Sequence, residues 1–344
     1  MMRVTMNDIA KRAGVSQTLV SFVINNNEKE LKRVSLETQQ RVRDCAAELN
    51  YTRNALATSV KTGKSRIIGI LVPDMTIEFH ARVIEGIMEA AEKHDYTVKV
   101  IKLSTETQVE GAAKTILEYR LSGLFFLGTA QSISTAVYKN LQQADAPIAQ
   151  ITSDKIQGVK GPRYFPDDEM AMTEAIQHLT SLGHTKIAYL APTKGNENLK
   201  RRLQAFRKVM KQFHLRLPKK YIVPASLEEE NEVLETLLAG RAGAPSAIIC
   251  YSDLYSLKVI ETASRLALKL PDELSIVGFD DNTWAKLLTP TLTVIRQNAY
   301  ELGNTAMDEL VMSITNKEIP LKVSTETLMP VTLVARSSTT KYSS

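Results

Sequence analysis

Gln17, Thr18, Ser21, Phe22 and Asn25 all fall within one stretch, "VSQTLVSFVIN", at residues 15–25. On a helix that begins after Ser16, residues 17, 21 and 25 share one line, and 18 and 22 lie on the line beside it. That stripe offers two amides, two hydroxyls and one aromatic ring. Leu19, Val20, Val23 and Ile24 form the opposite, core-facing side. An amide can pair with adenine N6 and N7, and an apolar group can meet the thymine methyl in a major groove. The stripe therefore has the chemistry to read base edges, with Gln17 suited to adenine and Phe22 to a thymine methyl. The plainer alternative folds the Phe22 ring back onto the module's own core.

The elements that would hold this stripe are legible around it. "TMNDIAKRA" opens with Thr5 as an N-cap and Asp8 three residues on, a variant of the capping box. Gly14 then ends that helix, and Ser16 caps the next, which runs to about Asn25. "NNNEKELKR" is polar and turn-rich and reads as a loop. "VSLETQQRVRDCAAELNY" starts at a Ser35 cap and puts Val42, Ala46 and Leu49 on one side. Three short helices with a glycine turn between the first two make a helix-turn-helix module. Its charge points the same way. Residues 1–64 hold eleven Lys/Arg against six Asp/Glu, and the remaining residues balance at 32 of each. All of the net +5 therefore lies in the first fifth of the chain, as expected for a module that meets a polyanion.

From Arg66 onward the pattern changes. "RIIGILVPD" reads as a buried strand, "EFHARVIEGIMEAAEKH" as a helix and "YTVKVIKL" as another strand. "GLFFLGT", "PIAQITS", "KIAYLAP", "SAIICYS" and "LSIVGFDD" continue the alternation. This is repeated βα organisation with parallel sheets, and it has too many strands for one core, so two α/β lobes are expected. Ligands of such folds bind outside the carboxyl ends of strands. Nothing assembles a catalytic centre. "TGKS" at 62–65 lacks both the preceding strand and the earlier glycine of a P-loop, since that position is Thr58. No G-x-G-x-x-G, G-x-S-x-G or H-E-x-x-H occurs, the five histidines are scattered, and the adjacent Asp280 and Asp281 side chains must point apart. With Cys45 and Cys250 as the only cysteines, neither a disulfide framework nor a Cys-based metal site is expected. No enzyme, cofactor or metal is anticipated. The start has no apolar h-region and no run approaches a membrane span, so a cytoplasmic protein without a membrane partner is the expectation.

Taken together, "VTMNDIAKRAGVSQTLVSFVIN", "VSLETQQRV", "ELNYTRNALATSV", "IGILVPDMTIEF", "HLTSLGHTKIAYLA", "LPDELSIVGFDDN", "LTPTLTVIRQN" and "MPVTLVARSST" resemble the LacI/GalR family of bacterial transcription regulators across essentially the whole chain. The resemblance implies an all-α helix-turn-helix headpiece at 1–52, a hinge helix and linker at 53–65, and a two-lobed, periplasmic-binding-protein-like α/β body at 66–344. It implies a repressor that binds a near-palindromic, double-stranded operator as a homodimer and responds to a small, sugar-like effector. Gln17, Thr18 and Phe22 match the base-reading positions, and Thr5, Ser16, Ser21 and Asn25 match phosphate-holding ones. In the hinge, Asn54, Ala57 and Val60 match DNA-contacting positions, and Val60 stands where the family levers a leucine into the minor groove. Three departures stand out: Phe22 replaces a common arginine, Arg53 a frequent proline, and the "NNNEKELKR" loop is longer than in the lac repressor.

For the effector, the resemblance implies Arg202, one turn before Phe206, paired with Asp280 just past the "SIVGF" strand. An arginine that donates and a carboxylate that accepts can grip vicinal hydroxyls between them. Ser252 and Gln297 match polar cleft positions. Phe79 would stack on a sugar face, and Thr152 stands where the lac repressor has an aspartate. The tail "ARSSTTKYSS" carries no leucine heptad, so a dimer is expected and not a tail-assembled tetramer. Two rivals remain: a periplasmic-type sugar-binding protein, opposed by the basic headpiece, and a small-molecule enzyme, opposed by the lack of a catalytic constellation.

Overall fold

A computed structural model describes residues 4–25, 28–51, 65–103, 106–128, 146–155, 159, 161–193, 195, 197–227, 231–240, 243–315 and 325–342. The chain divides into two compact units, Met1–Gly63 and Lys64–Ser344. In the first, α1 (Met6–Ala13), α2 (Gln17–Ile24) and α4 (Leu36–Glu48) surround a small core, with a single turn, α3 (Glu28–Leu31), between α2 and α4. Local chemistry sets the boundaries. Thr5 and Asp8 form a reciprocal capping box, and Gly14 closes α1 in the left-handed region at φ 66°, where a residue without Cβ is favoured. Ser16 accepts from the Leu19 amide and Ser35 from that of Thr38. Ile9, Val20, Val23 and Val42 are buried in the core, and Leu19, Ile24, Leu31 and Leu49 pack at its edge. The helical turn α3 departs from the loop expected over "NNNEKELKR". Leu31 anchors it on the core, and the buried Gln39 amide donates to the carbonyls of Leu31 and Val34. Those bonds satisfy carbonyls that the end of so short a helix leaves open.

The second unit carries two six-stranded sheets. In the first lobe, β1 (Ile67–Val72), β2 (Thr97–Lys102), β3 (Gly123–Leu127), β4 (Ile148–Ile151) and β5 (Arg163–Pro166) are joined by a late strand, β11 (Glu326–Met329). In the second, β6 (Ile187–Pro192), β7 (Ile222–Ala225), β8 (Ala247–Cys250), β9 (Ser275–Asp280) and β10 (Thr293–Gln297) are joined by β12 (Val331–Val334). The orders are 11-5-4-3-1-2 and 12-10-9-8-6-7, the same doubly wound pattern twice. All pairs are parallel except β10 with β12. That antiparallel edge was not anticipated, and neither were the short strands β5, β7 and β11. Pro166 and Pro224 interrupt the apolar signal inside β5 and β7, and Pro330 alone separates β11 from β12. Proline cannot donate to a ladder; β7, β11 and β12 accordingly lie at sheet edges, and Pro166 is the last residue of β5, past its pairing with β4.

Helices α5 (Glu78–Lys93) and α6 (Glu106–Glu118) belong to the first lobe, and α7 (Asp168–Ser181), α8 (Glu197–Gln212), α9 (Glu232–Ala239) and α10 (Asp253–Arg265) to the second. After β10 the chain returns to the first lobe, where α11 (Ala299–Thr315) packs its Leu302, Ala306 and Leu310 into that lobe's core. Helices α5 and α11 approach backbone to backbone: a Cβ on Gly86 would lie 2.0 Å from the Tyr300 carbonyl oxygen, and one on Gly303 2.1 Å from that of Val83. The lobes are thus joined by three crossings, after β5, after β10 and between β11 and β12, and the strand ends beside those crossings carry the polar residues described next.

Candidate functional site

On α2, Gln17 and Thr18 are exposed, Ser21 and Asn25 are half-buried, and Val20 and Val23 are buried beneath them. Among the described residues, the half-buried Phe22 is not one of the side chains packed on the headpiece core, and its position on α2 belongs to the polar stripe. Thr5 and Ser16 spend their hydroxyls on capping α1 and α2, which fixes where each helix starts. The Asn25 amide donates to the Ser21 carbonyl at 2.8 Å and to its hydroxyl at 3.0 Å. The Asn25 Oδ1 is buried with no partner among the described residues. Arg12 pairs with Glu48 across α1 and α4, with both side chains more than half exposed, and such a pair contributes little to stability. Asn54, Ala57 and Val60 lie outside the described residues.

In the second unit, the polar residues gather at the carboxyl ends of strands. Arg202, on α8, is 5% exposed. Its Nε donates to Asp168 Oδ1 at 2.9 Å and its Nη1 to the Tyr251 carbonyl at 2.6 Å, while the guanidinium lies 3.4 Å from the Phe279 ring centroid. Its direct carboxylate partner is therefore Asp168, at the start of α7, and not Asp280 as the resemblance implied. Burial pushes the Asp168 carboxyl up, against the pull of Arg202. Phe206, one turn on, is fully buried and stacks on Tyr189 at 5.0 Å, so it serves the core and not the cleft wall.

Asp280 ends β9 at a positive φ of 118° and accepts a hydrogen bond from Gln297 Nε2. That φ is costly for a residue with a Cβ and marks a site where surrounding contacts dictate the backbone. Burial raises the Asp280 carboxyl above the ordinary range although Arg202 and Gln297 oppose it, and the Glu78 charge adds to the rise. Beneath it, buried Asp253 accepts the Asn282 amide at 2.8 Å through Oδ2, while its Oδ1 has no partner among the described residues. Burial, and then the charge of Asp280, pushes Asp253 up as well. The described hydrogen bonds use Nε and Nη1 of Arg202 and Oδ1 of Asp280.

The remaining expected positions lie nearby with differing freedom. Ser252 precedes α10 and makes no side-chain cap bond. Thr152 is buried at φ 46°, and its carbonyl accepts from Asn198 of the opposite lobe at 2.8 Å. Phe79 packs on the first-lobe core, edge-on to His80. Sequence reasoning missed the contacts that tie the lobes. Arg163 on β5 donates to Glu197 of α8 at 2.6 Å and to Glu326 of β11 at 2.8 Å, and Glu326 also accepts from Arg201. On the other side of the crossings, Glu78 accepts the Thr283 amide at 2.8 Å and hydroxyl at 2.7 Å. The run Pro166-Asp167-Asp168, a helix-start signature, was the one local sign of a carboxylate at the end of β5. Among the described residues no group of His, Cys, Asp and Glu could hold a metal ion, and no helix is long and apolar enough to cross a membrane.

Residues 5–54 match the family model described as bacterial regulatory proteins, lacI family, and residues 176–339 the periplasmic binding protein-like domain. The chain is 30% identical over 342 residues to the HTH-type transcriptional regulator DegA of Bacillus subtilis, covering 98% of each. Two solved structures share the fold. The lac repressor dimer bound to operator and the anti-inducer ONPF has a TM-score of 0.74 at 24% identity, covering 98% of this chain and 100% of that one. A transcriptional regulator CelR–cellobiose complex has a TM-score of 0.68 at 21% identity with the same coverage.

Proposed function

The chain belongs to the LacI family of bacterial regulatory proteins, and from that membership we propose how its two units act together. It is a DNA-binding transcriptional regulator with an effector-binding domain, and not an enzyme. In our reading it is a repressor. A homodimer places two α2 helices in successive major grooves of a near-palindromic operator. Gln17, Thr18 and Phe22 meet bases, Thr5, Ser16, Ser21 and Asn25 meet phosphates, and the hinge residues Asn54, Ala57 and Val60 reach the DNA between the half-sites.

The observation that carries the DNA reading is the stripe of α2, whose Gln17 and Thr18 are exposed and whose half-buried Phe22 is outside the headpiece core among the described residues. The effector is sugar-like. Asp280 and Arg202, with Gln297, Ser252, Thr152 and Phe79 around them, offer an acceptor and a donor to neighbouring hydroxyls. The cellobiose and ONPF complexes of proteins with this fold support that class. The ligand acts by linkage: binding one lobe arrangement better than another shifts the population that grips DNA.

Selection of the preferred operator from random DNA, followed by binding in the presence of a panel of sugars, tests both halves. We expect a two-fold-symmetric site and a sugar that changes its affinity. An asymmetric site, or no sugar response from any panel member, refutes the corresponding half. Deleting residues 1–64 should abolish DNA retention and leave sugar binding, which separates this reading from a binding protein without a regulatory role.

A further inference from the structure

Where the chain crosses between lobes after β10, a chamber of about 460 Å³ opens beside the cleft, with Gln297 in its lining and Arg202 outside it. The consecutive positive φ angles of Asp280 and Asp281, 118° and 66°, send the two side chains to different neighbours. Asp280 meets Gln297, whereas Asp281 accepts Arg296 Nε at 2.7 Å and Arg336 Nη2 at 2.6 Å. The chamber is built on that second side. It draws Arg82 from the first lobe, Lys286 from the turn after β9, Arg296 from β10 and Arg336 from beyond β12, against the carboxylates of Asp281 and Glu301.

The structural needs of this corner do not account for all of its cations. Burial works against the charge of Asp281, yet Arg336 and Arg296 hold its carboxyl below the ordinary range, so that anion is satisfied. Arg296 spends only Nε on it and remains 45% exposed, its outer nitrogens unpartnered among the described residues. Lys286 is exposed and has no carboxylate partner among the described residues. Arg82 is held beside Glu78, which is itself bonded to Thr283 across the lobes. The lining is mostly polar, so an apolar ligand gains little there. The volume suits a small molecule, and guanidinium forks match the oxygens of a phosphate dianion.

We propose that this chamber is a second ligand site, beside the cleft and sharing Gln297 with it, that takes the phosphate group of a small phosphorylated metabolite. Because Arg82 comes from one lobe and Lys286, Arg296 and Arg336 from the other or its crossings, an occupied chamber favours the lobe arrangement in which Glu78 and Thr283 are joined. Binding there shifts the same equilibrium as the cleft ligand.

Full-length protein titrated at constant ionic strength with inorganic phosphate, and in parallel with glucose 6-phosphate, tests this. Heat is the primary signal, and the fluorescence of Trp284, the only tryptophan, which sits in the turn with Lys286, is the second. We expect saturable binding beyond a chloride control, weakened about tenfold or more by Lys286→Gln and by Arg296→Gln and unchanged by Lys208→Gln. Lys286 makes no described contact, so its variant keeps the fold and decides the matter even if Arg296→Gln is unstable. Tighter binding of glucose 6-phosphate than of phosphate identifies an organic metabolite as the occupant. The absence of saturable binding, binding indifferent to Lys286→Gln, or binding of glucose 6-phosphate no tighter than that of phosphate overturns the proposal.

Discussion

Replacing Arg202 by methionine isolates the buried ion pair at the centre of the second lobe. Arg202 and Asp168 are 5% and 7% exposed, and the arginine supplies Nε to Asp168, Nη1 to the Tyr251 carbonyl and a face to Phe279. Methionine keeps much of the apolar stem but leaves Asp168 buried without its main compensating charge. Breaking one side of such a pair costs about 3–5 kcal/mol. Asp168→Leu together with Arg202→Met removes both charges, and the carbonyl of Tyr251 then loses one donor, a cost of about 1–3 kcal/mol. The double variant should therefore be no less stable than Arg202→Met alone, and the cycle should show a coupling of at least about 3 kcal/mol. Urea denaturation of the four proteins at pH 7 measures it. Additive costs, with coupling below about 0.5 kcal/mol, would refute a desolvated pair. The same reasoning makes Arg202→Ala a poor probe of the effector, because loss of fold and loss of ligand contact coincide.

Asp280→Asn is the cleaner cleft variant, and calorimetry with the operator-responsive sugar should show a loss of roughly 10–100-fold, the worth of a hydrogen bond to a charged group. Its pH behaviour has a definite sign. Burial raises Asp280 and Asp253 in the folded protein, so their stabilising effect is complete below the ordinary carboxylate pKa of about 3.9 and is lost as pH rises through the raised folded values. Thermal melts should fall from pH 5 toward pH 8 (roughly the span of that window) and fall less for Asp280→Asn; an unchanged slope contradicts the assignment. Phe22→Ala should leave the headpiece melting temperature nearly unchanged while altering base preference. Replacing the facing thymine by uracil should weaken wild type by about 1 kcal/mol, the worth of one buried methyl; a lowered melting temperature with unchanged preference would place Phe22 in the core. Gly86→Ala forces apart the α5–α11 contact, where a Cβ would meet backbone at 2.0 Å, and should cost at least about 1–3 kcal/mol by the same denaturation assay, whereas a neutral effect would show that the helices slide freely.

What could be read from the sequence was what neighbouring residues decide. Thr5 with Asp8, Ser16, Ser35 and Gly14 fix helix ends through bonds spanning a few positions, and the period of α2 alone assigned Val20 and Val23 to the core and Phe22 to the other side. The βα alternation similarly announced two lobes. Contacts between distant segments were not legible. Asp168 lies 34 residues from the arginine it holds, and Glu78 lies 205 residues from Thr283. Nothing in either local pattern names the other partner. The turn α3 was hidden because its polar residues look like a loop until Leu31 finds the core and Gln39 reaches its carbonyls. The antiparallel β12 was hidden because its direction depends on a reversal after Pro330 between two lobes.

The central claim is that this chain is an operator-binding regulator whose affinity for DNA is carried by its basic first fifth. Fluorescence anisotropy of the full-length protein on its selected operator, repeated across salt concentrations, tests that claim most directly. All of the net +5 lies in residues 1–64, and a dimer that neutralises ~6–10 phosphates should give log K against log salt a slope near −0.9 for each phosphate. We predict that steep slope, with the selected sequence preferred over scrambled DNA at every salt. A flat salt dependence, or equal affinity for scrambled DNA, would contradict it.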